Sequence, residues 1–235
     1  RKNLMKTSLI IPCYNESKNL PFIFEKLDSL LTDNSFEIIF VENGSNDNSL
    51  SILENYKLKF PKIKFIALKQ NQGYGHGIVK GLELAEGDLL AWTHADMQTN
   101  PLDILEGIRL FKSSQDKFLV KGLRYGRKLS DRFFTLCMSF YASINLGYFF
   151  WDINAQPTIF PSSFFKEWNE APKDFSLDLY AYFLAKKNGY KIKRFDVFFN
   201  KRLFGISKWN FNFKSKVKFI KRNIKYINEL KKKYR

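Results

Sequence analysis

This chain of 235 residues is poor in cysteine, short of acids relative to bases, and lacks any long uninterrupted apolar run. Two cysteines, Cys13 and Cys137, build no disulfide framework. They fit a reducing compartment and read as two small buried hydrophobes. No secretory signal is visible, because Arg1 to Lys6 leads directly into an apolar segment. Phe133 to Trp151 carries no charge and approaches the length of a membrane span. Thr, Ser, Asn and Gly interrupt it, so a buried or interface-lying helix is expected rather than a crossing. No internal repeat or low-complexity linker divides the chain.

What is present is base and aromatic. Lys and Arg number 39 against 23 Asp and Glu, a net charge of +16, and Phe occurs 25 times. Such an excess suits a polyanionic partner: nucleic acid, an anionic membrane surface or phosphorylated substrates. Residues 201–235 hold 13 of the bases and one acid, Glu229. There Phe213, Val217, Ile220, Ile224 and Ile227 recur at helical spacing among Lys and Arg, which predicts a basic amphipathic helix over 211–235.

Before that helix, β and α signals alternate at short intervals. Strands are expected at Thr7 to Ile11, Phe36 to Val41, Ile63 to Leu68, Asp88 to Trp92 and Phe118 to Lys121. An edge strand is expected at Ile192 to Phe199, after a helix over Asp178 to Asn188 that Gly189 ends. The pattern predicts an α/β fold with a parallel, doubly wound sheet.

The chemistry gathers where strands end, the usual ligand side of such sheets. Pro12-Cys13-Tyr14-Asn15-Glu16 follows the first strand; it reads equally as an anion and nucleoside site or as a simple helix cap. Glu42-Asn43-Gly44-Ser45-Asn46-Asp47 follows the second, as hydrogen-bond acceptors for a base or ribose or as an ordinary polar turn. Gly73, Gly75 and Gly77 allow close backbone approach to a ligand, without the Lys of a P-loop. His94, Asp96 and Gln98 alternate after the fourth strand, so an extended backbone would aim all three at one cation. The competing reading is a turn that caps the helix beginning at Asn100-Pro101.

In order and spacing these motifs resemble the family 2 glycosyltransferases of GT-A fold, over residues 7 to about 210. His94-Ala95-Asp96-Met97-Gln98-Thr99-Asn100-Pro101, Gly122-Leu123-Arg124-Tyr125 and Arg202-Leu203-Phe204-Gly205-Ile206-Ser207-Lys208 are similar to motifs of its polyprenyl-phosphate sugar transferases. The resemblance implies one GT-A domain over 1–210, a mostly parallel sheet with flanking helices. It implies a nucleoside-diphosphate sugar held by Pro12, Tyr14, Asn15, Glu16, Glu42, Asn43, Ser45, Gly73, His94 and Ala95. It implies Mg²⁺ or Mn²⁺ on Asp96 and Gln98, with His94 as a further ligand. Arg124 and Arg132 would grip an acceptor phosphate, and Arg202 and Lys208 phosphates of donor or acceptor.

The function so implied is an inverting, metal-dependent transfer at the cytoplasmic face of a membrane, with a polyprenyl phosphate as acceptor and no nucleic-acid partner. Asp96, Arg124 and Asp178 are the expected catalytic residues; with a hydroxyl acceptor, Asp178 would be the base. Three departures stand out. His94 replaces the family's first Asp, Glu42-Asn43 its Asp pair, and Asp152-Ile153-Asn154-Ala155-Gln156 its Asp-x-x-Ser-Gly. A non-catalytic nucleotide-sugar-binding protein is the competing class.

Overall fold

A computed structural model describes residues 5–205 and 213–234. Strands β1 (Thr7–Cys13), β2 (Phe36–Glu42), β3 (Lys64–Ala67), β4 (Leu89–Trp92), β5 (Phe118–Tyr125), β6 (Thr158–Pro161) and β7 (Lys191–Phe198) form one sheet. Their order is β3-β2-β1-β4-β6-β5-β7. The first four run parallel, β6 runs antiparallel to both β4 and β5, and β7 closes the edge parallel to β5. The helices are α1 (Leu20–Thr32), α2 (Ser49–Lys59), α3 (Tyr74–Glu83), α4 (Ile104–Arg109), α5 (Leu129–Leu146), α6 (Ser162–Phe165), α7 (Leu177–Lys187) and α8 (Phe213–Lys233).

Side chains alternate across a strand, and the sheet divides the core accordingly. Leu9, Ile11, Ile38, Phe40, Leu89 and Ala91 face one side and pack on Leu20, Ile23, Leu53 and Ile104 of α1, α2 and α4. Ile10, Ile39, Val41, Leu90 and Trp92 face the other, against Ile78 and Leu82 of α3 and most of α7. Each fully buried aliphatic or aromatic side chain of this kind contributes about 1.5–3 kcal/mol. Both faces are covered, which is why the strands read as continuous apolar runs.

The expected mostly parallel α/β sheet is present. Strand β6 was not foreseen: four residues between Pro157 and α6 offer no periodicity to read. Among the described residues no helix is long and apolar enough to cross a membrane. The last turns of α8 bury Ile227 and Leu230 in the core shared with α5 and α7. There the apolar stripe packs on protein. The outward surface is instead on α5, where Leu129, Phe133, Leu136, Phe140 and Ile144 are 45–79% exposed. Cys137 lies exposed on the same helix, against the expectation that both cysteines are buried; Cys13 is buried.

Candidate active site

A cavity of about 690 Å³ opens at the carboxyl ends of β1, β4 and β5 and extends between α5 and α8. Its wall near β1 is the loop Pro12 to Glu16. Asn15 takes a left-handed backbone, φ 58°. It ties this loop to the one after β2: its amide donates to Ser45 Oγ (2.9 Å), and its Oδ1 accepts from the Asn46 amide (2.8 Å). Glu42 is buried, and its carboxylate accepts from the Gly44 and Ser45 amides at 3.2 and 2.6 Å. Glu42 and Ser45 thus hold the loops and are not part of the cavity wall, unlike Tyr14, Asn15, Glu16, Asn43, Gly73 and Ala95.

Glu16 accepts from Asn19 Nδ2 at 2.6 Å. Burial, with the charges of Asp96 and Asp47 adding, pushes its carboxyl up to about 7 against the pull of Asn19 and Arg202. Asn43 donates to the Gly73 carbonyl at 3.0 Å and leaves its buried Oδ1 without a partner. The glycines also allow close packing, while Gly73 lines the cavity. A Cβ on Gly73 would meet the Lys173 carbonyl at 2.3 Å, and one on Gly75 the Pro172 carbonyl at 2.3 Å.

Strand β4 ends at Trp92 and Met97 turns left-handed, φ 57°, so the alternation of His94, Asp96 and Gln98 does not persist. His94 lies beside Tyr74, ring centroids 5.4 Å apart. Burial holds its imidazole below the ordinary value, although the charges of Asp96 and Asp178 pull the other way. Asp96 accepts the Gln98 amide on Oδ1 (3.0 Å) and Arg202 Nη2 on Oδ2 (2.7 Å), and Arg202 Nη2 also reaches Gln98 Oε1 at 3.3 Å. Two side-chain oxygens therefore converge on one cationic nitrogen. Carboxylate and amide oxygens are donors that Mg²⁺ or Mn²⁺ takes, so the pair fits such an ion with its other ligands supplied from outside the chain. Among the described residues no group of three or more His, Cys, Asp or Glu is placed to hold a metal, and His94 does not complete one.

Arg124 and Arg127 form the opposite wall. Arg124 Nε lies 3.0 and 3.1 Å from the two Asp152 oxygens, its Nη2 also bonds Oδ1, and Arg127 Nη1 lies 3.4 Å from Oδ1. Burial works against the Asp152 charge, yet Arg124 and then Arg127 hold its carboxyl below the ordinary value. Burial and the neighbouring Arg124 pull Arg127 down to about 10, still charged at neutral pH. The Phe199 ring lies under both guanidiniums, at 5.2 and 5.6 Å. Arg132, expected here, is an exposed residue of the first turn of α5 and does not line the cavity; Arg127, just ahead of that helix, does. Lys208 lies outside the described residues.

Asp178, in the first turn of α7, is fully buried at the cavity wall. Its Oδ1 accepts from Gln156 Nε2 at 2.6 Å, and its Oδ2 has no hydrogen-bond partner. Beyond the arginines the wall turns apolar, with Phe134, Met138, Ile153, Leu179 and Ile227.

The sequence matches the model of glycosyl transferase family 2 over residues 8–171, well over half the chain. The chain belongs to this family. Its relatives include a dolichol-phosphate mannosyltransferase of Pyrococcus furiosus, 32% identical over 121 residues, which are 52% of this chain and 34% of that protein. An undecaprenyl-phosphate 4-deoxy-4-formamido-L-arabinose transferase of Proteus mirabilis is 32% identical over 126 residues, covering 52% and 38%. The matches span 24–41% of the length of such curated relatives. Among solved structures, glucosyl-3-phosphoglycerate synthase of Mycobacterium tuberculosis, with Mn²⁺, UDP-glucose and phosphoglyceric acid, aligns at TM-score 0.73 and 12% identity, over 97% of this chain and 79% of that one. A mannosyltransferase of Pyrobaculum calidifontis, with GDP-mannose and Mn²⁺, aligns at TM-score 0.61 and 16% identity, over 86% and 58%. These place the GT-A fold.

Proposed function

We propose that the cavity binds a nucleoside-diphosphate sugar and that the chain transfers the sugar, with inversion, to a polyprenyl phosphate. The observation that carries this reading is the paired Arg124 and Arg127 beside an apolar wall. Two guanidiniums share one carboxylate, Asp152, which leaves positive charge for a further anion. Arginine suits phosphate capture, and the neighbouring apolar wall suits the first prenyl units. A phosphate is already ionised at neutral pH and needs no strong base. Relatives whose names specify dolichol and undecaprenyl phosphates support the same acceptor class.

The donor lies at the β1 and β4 ends, with Glu16 and Asn43 accepting hydrogen bonds from the nucleoside. Asp96 and Gln98 would hold Mg²⁺ or Mn²⁺, which when bound neutralises charge on the leaving diphosphate. Arg202, released from Asp96, would take a diphosphate oxygen. The exposed row of α5, with Phe149 and Trp151 beyond its end, would rest on an anionic leaflet. The basic outward residues Lys218, Lys221, Lys225 and Lys232 of α8 would add attraction. Peripheral association with the cytoplasmic face of a membrane is part of this reading.

The unpartnered Oδ2 of Asp178 favours a second reading, a hydroxyl acceptor with Asp178 as base. Calorimetric titration with a panel of UDP- and GDP-sugars, with and without Mn²⁺, tests the donor site. One member should bind, and Asp96→Ala should remove the metal dependence. No binding by any member would overturn the reading.

A further inference from the structure

Lysine is rarely fully buried without a partner, yet Lys121 of β5 is 0% exposed beneath the cavity floor. Its Nζ donates to Thr158 Oγ1 at 2.6 Å and lies 3.6 Å from Asp178 Oδ1, with the Trp92 ring 5.9 Å away. The same Oδ1 takes the Gln156 amide, whose Nε2 also reaches the Tyr74 hydroxyl at 3.2 Å. Both of these contacts fall on one oxygen of Asp178; the other, Oδ2, is buried at the cavity wall without a hydrogen-bond partner.

From this arrangement we infer that Lys121 is a positioning residue for Asp178: with Gln156 it holds Oδ1 in place, and the unpartnered Oδ2 is thereby fixed as an acceptor for a hydroxyl of the transferred sugar. The inference rests on the cavity being a sugar-transfer site. It assigns Asp178 to sugar recognition, because protein contacts fix the carboxylate in one orientation through Oδ1. Burying the pair carries a desolvation cost that a purely structural core would avoid with apolar residues. Thr158 and Gln156 offset that cost with hydrogen bonds to each partner.

The charges around the pair come from several elements. Burial pulls the Lys121 ammonium down to about 8; Asp178 and Asp152 hold it up, while Arg194 of β7 and Arg124 of β5 lower it. Burial and then the Asp178 charge push the Tyr74 phenol up, so it stays protonated. His94 and Asp96 stand across the cavity wall.

The test is a pH titration of the Lys121 Nζ resonance in ¹⁵N-lysine-labelled protein, identified by its loss in Lys121→Met. Its midpoint should move down in Asp178→Asn, which removes the neighbouring negative charge. In turnover of whichever UDP- or GDP-sugar the protein accepts, Asp178→Asn should raise donor KM more than it lowers kcat, and Lys121→Met and Lys121→Gln should do the same. If no nucleoside-diphosphate sugar binds, the transfer reading falls while the coupling is still decided by the Lys121 resonance. An unchanged Lys121 midpoint in Asp178→Asn, or a kcat abolished at every pH by Asp178→Asn with KM intact, would overturn the inference.

Discussion

Arg127 and Arg132 are separated by five positions and by a helix start, and only the first reaches the cavity. A charge-assisted hydrogen bond to a phosphate is worth roughly 1.5–3 kcal/mol, or about ten- to a hundredfold. Arg124→Ala and Arg127→Ala should each raise KM for a polyprenyl phosphate by that factor and leave donor KM nearly unchanged. Arg132→Ala should leave acceptor KM at the wild-type value; steady-state kinetics with varied acceptor decides. Glu16 supplies a pH signature. Its folded value, about 7, lies above the ordinary 4.5, so the folded protein holds the proton more tightly than the unfolded chain. The stability this lends is complete below about pH 4.5 and is lost as pH rises through about 7. Urea unfolding should therefore show wild type losing stability relative to Glu16→Gln between pH 5 and 8. Nucleoside binding that uses the carboxylate should strengthen over the same interval, and a flat profile in both measurements would contradict the role given to Glu16. Much of this site was legible as residue types at strand ends. The partners of those residues were not. Asp152 and Gln156 lie in the loop that departs from the family motif, and they became the anchors of Arg124 and Asp178. Lys121 reads from sequence as an ordinary strand lysine, because its burial depends on β6, which carries no periodicity.

At the scale of elements, what covers the two long helices could not be read from their sequences. α8 has the regular apolar stripe, but Ile227 and Leu230 are buried against the domain. α5 is the uncharged segment, and its outward row is exposed. Hydrophobic spacing identifies a helix face; it does not say what covers that face, because packing against a distant segment is invisible in a local window. Co-sedimentation with anionic liposomes should fall several-fold for Phe133→Ser/Phe140→Ser, and salt should weaken binding by screening the Lys side chains of α8. Binding of that variant equal to wild type would exclude α5 as the membrane face. Removing α8 is the poorer experiment, since it also strips Ile227 and Leu230 from the core. The glycines at the start of α3 carry a similar lesson. Their spacing suggested a ligand cradle; Gly73 does line the cavity, and Gly73 and Gly75 also permit the close approach of the segment around Lys173, which no local pattern announces.

For the whole molecule, the parallel half of the sheet was legible because its strands are covered on both faces and run apolar without a break. The antiparallel insertion of β6 was not, yet it sets β5 where Arg124 meets the cavity and Lys121 lies buried beneath it. The resulting cavity has a polar end at β1 and β4, a cationic middle and an apolar end within about 690 Å³. The most direct measurement is transfer itself: the protein, the UDP- or GDP-sugar it binds, Mn²⁺ and a short polyprenyl phosphate, with the lipid phase analysed for a glycosyl phosphate. The expected result is a lipid-phosphate sugar of inverted anomeric configuration, lost with Asp96→Ala and with excess chelator. Sugar appearing only on hydroxyl acceptors, or a lipid product formed equally well in excess chelator, would contradict it.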